Sequence, residues 1–160
     1  MSSYLFDQLA FVRGQTLQAL QDVPEEAAAA VPEGFRNSIQ WQAGHIYLAQ
    51  ERFAFVLQGQ DGDVPPAFPA WFGAGSSPAA WTEPAPALAE LRERLRAQQE
   101  RIAARWKGRL HEGAPAPYTT STGLTLATTE AFLQFTLYHE GMHFQAIKMY
   151  KAMLLPRPRA

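Results

Sequence analysis

The sequence predicts an all-α protein, a four-helix bundle of the up-and-down type, on three observations. Four stretches carry apolar residues at helical spacing, Pro- and Gly-containing segments separate them, and nothing reads as a sheet. A length of 160 residues is one domain's worth, and 47% hydrophobic with 12% aromatic residues fits a globular protein with a sizeable core. Residues 1–160 are read as one domain.

The first helix shows Leu5, Leu9, Val12, Thr16 and Leu20 on one face, and Asp22-Val23-Pro24 marks its stop. Asn37 or Ser38 can cap a second helix reaching about Leu57, with Ile39, Ala43, Ile46, Phe53 and Leu57 on one stripe. Trp41, His45, Leu48 and Ala49 lie beside that stripe, so the apolar arc is broad, as for a buried helix. A long connection from Gly59 to about Glu83 follows, rich in Gly and Pro and carrying Phe68, Trp71, Phe72 and Trp81. Long irregular loops in small domains usually cover something, and four large aromatics predict a packed lid.

The third helix is expected over Pro84 to Lys107, with Leu88, Leu91, Leu95, Ile102 and Trp106 inward and its arginines and glutamates outward. A second loop spans Gly108 to Gly123, and a fourth helix begins among Thr125 to Glu130. It continues to about Leu155, where Pro156 and Pro158 end it. Its core stripe reads Phe132, Phe135, Thr136, His139, Met142, His143, Ala146, Met149, Tyr150 and Met153.

Composition excludes several functions. With 14 basic and 15 acidic residues, a formal net charge of -1 gives no electrostatic reason to expect nucleic acid or an anionic membrane as partner. The chain has no cysteine, so any metal must be held by histidines and carboxylates. Met1 to Ala10 lacks the cationic start and apolar run of a signal peptide, and no stretch approaches the ~20 apolar residues of a membrane span. A cytoplasmic location is the expectation.

Chemistry concentrates on three histidines. His139 and His143 lie one turn apart on the inward stripe of the fourth helix, and His45 lies on the second. A lone histidine on an apolar stripe is usually satisfied by one backbone hydrogen bond. Two imidazoles one turn apart leave four ring nitrogens to satisfy in a dry environment, and a metal shared with His45 is the simplest account. Three imidazoles would leave an open coordination position.

His139-Glu140-Gly141-Met142-His143 also matches H-E-x-x-H, the zinc hydrolase signature in which the glutamate is the general base. Against that reading, Phe144 to Ala160 contains no Asp, Glu or His to serve as a downstream third ligand. Glu140 is the nearest acid and the one candidate catalytic residue, though it sits about 100° around the helix from His139. Glu51 reads as a hydrogen-bonding partner of a ligand or a surface charge, Tyr47, Tyr118 and Tyr138 as packing residues with a polar tip, and His111 as a solvated loop residue.

Three segments together, Ser38-Ile39-Gln40-Trp41-Gln42-Ala43-Gly44-His45-Ile46, Leu124-Thr125-Leu126 and His139-x-x-x-His143-Phe144-Gln145-Ala146-Ile147, resemble the DinB/YfiT superfamily across essentially the whole chain. The resemblance implies a four-helix bundle that binds a divalent metal, zinc or nickel foremost, through positions falling on His45, His139 and His143. It also implies thiol-dependent transferase or isomerase chemistry in some members, with a low-molecular-weight thiol as cosubstrate, and pairing into homodimers. The expectation is therefore a metal-dependent enzyme joining a small thiol to a small electrophile. Alternatives on the same scaffold are a non-catalytic metal- or small-ligand-binding stress protein, a bundle with an empty site acting through its helices and, least of all, an H-E-x-x-H zinc hydrolase.

Overall fold

The inward stripe of the first helix buries more than apolar side chains. In the computed structural model, which describes residues 4–155, α1 (Tyr4–Leu20) turns Leu5, Phe6, Leu9, Thr16 and Leu20 inward together with Arg13. A five-residue helix, α2 (Glu25–Ala29), follows the Pro24 stop; it is too short to show a period and was not expected from the sequence.

The Ser38 hydroxyl caps α3 (Ile39–Ala54), accepting the Trp41 N–H at 3.1 Å. Almost every residue of α3 is buried, polar ones included, as its broad apolar arc requires. The helix stops short of Leu57 because Phe55 leaves helical geometry at φ -129, and a 3-10 turn over Val56–Gln58 leads to Gly59 at φ +70. Gly59 takes there a left-handed conformation that a side chain would resist.

The connection after Gly59 is less irregular than its sequence suggests. It holds α4 (Phe68–Phe72) and a 3-10 turn at Pro78–Ala80. Phe68 and Phe72 are fully buried in the main core cluster, Trp71 and Trp81 pack against it, and Trp81 Nε1 donates to the Trp71 carbonyl at 3.0 Å. The connection is thus packed down, as four aromatics predict.

The third long helix, α5 (Leu88–Trp106), starts four residues after the expected Pro84. Ala85 precedes Pro86, which keeps it out of helical backbone. The first available N–H groups, of Leu88 and Ala89, donate instead to the Glu25 carboxylate at 2.8 and 2.9 Å, so α2 caps α5 from 63 residues away in sequence.

The expectation of a helical chain holds, with one small sheet that the sequence did not show. The segment read as a loop and a helix start forms an antiparallel hairpin of β1 (Gly113–Thr119) and β2 (Thr125–Thr128). Tyr118 pairs with Leu126 and Thr119 with Thr125, and the register slips between Gly113 and Tyr118. Pro115 and Pro117 fall within that slip, where their missing N–H groups cost no ladder bond. α6 (Thr129–Leu154) begins directly after β2, capped by Thr128 Oγ1 accepting from Ala131 N–H at 3.2 Å. The protein is mainly helical with this one small sheet.

Both α1 and α3 pack against α5 and α6. The inward stripe predicted for α6 is too wide: Met142, Met149 and Met153 are exposed, because α1 and α3 cover only the face carrying Phe132, Leu133, Thr136, Glu140, Ile147 and Tyr150. Among the described residues no helix is long and apolar enough to cross a membrane.

Candidate metal centre

Two long helices deliver the three histidines. His139 and His143 stand one turn apart on α6, His45 stands on the facing α3, and one ligand nitrogen from each lies within 4.8 Å of the others. All three side chains are half-buried.

Hydrogen bonds at the far ring nitrogens fix the tautomers. His45 Nδ1 lies 2.7 Å from the Phe72 carbonyl, which can only accept, so Nδ1 carries the proton and Nε2 presents a lone pair. His143 Nδ1 likewise donates to Gln42 Oε1 at 2.6 Å. His45 Nε2 faces His139 Nε2 at 3.2 Å. Two nitrogens bound to one tetrahedral zinc at ~2.0–2.1 Å stand about 3.3 Å apart, so this separation suits a shared ion. The residues present therefore form a group that could hold a metal ion.

Burial keeps the imidazoles neutral. Desolvation lowers the His139 pKa to about 4, with the neighbouring His45 adding to the shift. Desolvation lowers His143 to about 3, with His139 and His45 adding. His45 is also lowered, mainly by burial; its bond to Phe72 opposes the shift and the positive charge of Arg52 adds to it. Neutral imidazole is the form that ligates metal.

Local packing explains why these rings hold their places. The Trp41 indole stacks on His45 at 4.6 Å and 9°, and its Nε1 donates to Ser76 Oγ at 2.8 Å. A Cβ at Gly44 would fall 2.3 Å from the Phe72 ring, so a residue without a side chain lets α4 press against α3 and bring its carbonyl to His45. The aromatic connection thus orients His45 directly.

A cavity of about 190 Å³, open on one side, lies against His45 and His139. Leu48, Ala49, Phe53 and Phe135 give it apolar walls, and Arg52 stands at its edge on α3. The hairpin supplies Tyr118, Thr120 and Ser121, and the stretch after α4 supplies Gly73 and Ala74. The hairpin wall was not foreseen from the sequence, which showed only a Pro- and Thr-containing loop there.

Of the other residues weighed from the sequence, all but Tyr118 lie elsewhere. Glu140 points to α1: its carboxylate accepts from Arg13 Nε at 2.9 Å and Nη2 at 3.0 Å, is buried, and hydrogen-bonds no histidine among the described residues. A carboxylate committed to a buried guanidinium is poorly placed to act as the general base of an H-E-x-x-H hydrolase. Glu51 is fully buried, pairs with Arg101, accepts from Gln98 Nε2 at 2.9 Å and receives the Asp63 N–H at 3.0 Å, so it is neither a surface charge nor a partner of a histidine. Tyr47 donates to Asp63, Tyr138 is exposed, and His111 is exposed in its loop. Tyr118 alone of the three tyrosines reaches the cavity, packing edge-on against Phe53 at 5.5 Å.

Fold and site together define a class: a mainly helical protein in which three histidines from two facing helices form a group that could hold a metal ion beside a small open cavity. The family model of the DinB superfamily matches residues 8–147, and the chain belongs to that superfamily. No curated protein matches the chain.

Proposed function

We propose that the protein is a divalent-metal-dependent transferase that joins a low-molecular-weight thiol to a small electrophile, with His45, His139 and His143 as metal ligands. The observation that carries the reading is the convergence of three neutral imidazoles beside a one-sided cavity whose lining holds no carboxylate. A bound divalent ion, zinc or nickel foremost, supplies positive charge that favours deprotonation of a thiol entering the cavity. The chain's own residues then divide the remaining work. Phe72 and Gln42 hold the Nδ1 protons of His45 and His143 so that both Nε2 atoms stay available. Leu48, Ala49, Phe53 and Phe135 exclude water from the side where an electrophile would stand. The thiolate sulfur forms the new bond to carbon as the leaving group takes the old bonding pair, and the thiol proton passes to solvent at the mouth.

The cavity is smaller than the roughly 300–1,000 Å³ of drug-sized pockets, which suits a small thiol and a small electrophile. The same reading takes the long helices as an up-and-down four-helix bundle, supported by the packing of α1 and α3 on both α5 and α6. It takes residues 1–160 as one domain of a cytoplasmic protein with no nucleic-acid or membrane partner. It includes a homodimer, for which light scattering at twice the 17.8 kDa chain mass is the check.

Elemental analysis of untagged protein tests the centre. About one metal per chain is expected, lost in His45→Ala and His139→Ala. Metallated protein should then consume glutathione when a small aryl or alkyl halide is added. Metal without thiol consumption would leave a metal-binding protein of another role, and no uptake of zinc or nickel would overturn the centre itself.

A further inference from the structure

Arg52 lies seven residues after His45, two turns along the same face of α3, at the edge of the cavity beside the histidines. Its position in the last turn suits a cation beside the helix C-terminus, but no carboxylate pairs with it among the described residues. No Asp or Glu lines the cavity at all. Arginine is the residue whose fork of donors matches a carboxylate. Ser121 on the hairpin turn lines the same cavity and, like Arg52, is exposed; it adds a hydroxyl that no hydrogen bond in the structure occupies among the described residues.

The charges make the same point. A dication on three neutral imidazoles together with Arg52 concentrates three positive charges around a cavity lined by no negative one. A neutral thiol, once ionised, would compensate only one of them. A ligand carrying a second anionic group would compensate two, with its sulfur toward the histidines and the other end at the mouth.

We propose that the cavity is built for a carboxylate-bearing substrate, its sulfur end directed to the three-histidine group and its carboxylate held by Arg52 with the Ser121 hydroxyl beside it. This rests on the metal-centre reading and names its substrate class. Arg52 is a specificity residue here and takes no part in bond making.

The test compares 3-mercaptopropionate with 3-mercapto-1-propanol, thiols on the same three-carbon chain that differ in charge. Each is titrated calorimetrically into metal-loaded wild type, Arg52→Gln and Arg96→Gln. Arg96 sits on the outer face of α5 beside Glu93 and controls for a general change in net charge. Wild type and Arg96→Gln should bind the acid about tenfold or more tighter than the alcohol, and Arg52→Gln should lose that preference while keeping its affinity for the alcohol. Equal affinities in wild type, a preference that survives in Arg52→Gln, or no binding of the acid would each overturn the proposal.

Cobalt-loaded protein separates this outcome from failure of the thiol reading. A sulfur-to-cobalt absorption band with both thiols and no acid preference would sink the carboxylate site and leave thiol binding standing. An Arg52-dependent acid preference without that band would do the reverse.

Discussion

Gln42 lies three residues before His45 on the same face of α3, yet it serves the opposite helix, holding His143 through a 2.6 Å hydrogen bond. Replacing it with leucine keeps a residue of similar size and removes the acceptor for Nδ1–H. Metal affinity in Gln42→Leu should fall about 10- to 100-fold, measured by chelator competition, with the helical circular dichroism unchanged. The histidines themselves should mark the protein's acid sensitivity. In the unfolded chain each titrates near 6.5, whereas folding lowers His139 to about 4 and His143 to about 3. Between those limits the unfolded state binds more protons, so stability rises with pH. For metal-free protein the contribution is complete above pH 6.5 and is lost as pH falls through the folded values. Urea midpoints should therefore drop between pH 7 and pH 4, and His143→Ala should show a shallower drop. The spacing of His139 and His143 was legible in the sequence because one turn on a helix is a fixed distance. Gln42 and Arg52 were equally legible in principle, at three before and seven after His45, but an amide or a guanidinium on a helix carries no signature until the facing element is known.

Among the elements, the contact between Gly44 and Phe72 shows how a short helix can set the orientation of His45. Gly44→Ala would gain helix propensity of about 1 kcal/mol in α3. It would also force a methyl group against the Phe72 ring, where overpacking costs about 1–3 kcal/mol. The net expectation is loss of stability together with weaker metal binding, because α4 must retreat and take the Phe72 carbonyl from His45. Thermal melts and metal titration of the same variant check both halves; a more stable Gly44→Ala with full affinity would show that α4 is not seated as described. The long helices were readable from apolar spacing, and Ser38 from cap chemistry, since both signals are local. The hairpin was not, because Pro115 and Pro117 read as breakers until β2 provides a partner against which a register slip can absorb them. The start of α5 was hidden for a related reason, since its cap, Glu25, belongs to a different helix.

For the molecule as a whole, the decisive unforeseen residue is Arg13. Its guanidinium donates to Glu140 on α6, to Gln50 on α3, and to Gln98 and the Leu95 carbonyl on α5. The sequence stripe skipped it because arginine is ordinarily a surface residue, and it read Glu140 as a candidate catalyst because of its histidine neighbours. The ion pair makes a different demand. Glu140→Gln would leave a buried guanidinium without its counter-charge, and breaking such a pair costs about 3–5 kcal/mol. The denaturation midpoint should fall sharply while metal stoichiometry at low temperature stays at the wild-type value. Unchanged stability with abolished turnover would instead restore Glu140 as a catalytic group. Since one side chain of α1 is bonded to each of the other three long helices, α1 cannot peel away without leaving Glu140 unpartnered one position from His139. The amide protons of α1 and of the middle of α6 should accordingly exchange with solvent in a single opening event, which makes a helix that carries none of the three histidines a guardian of their arrangement.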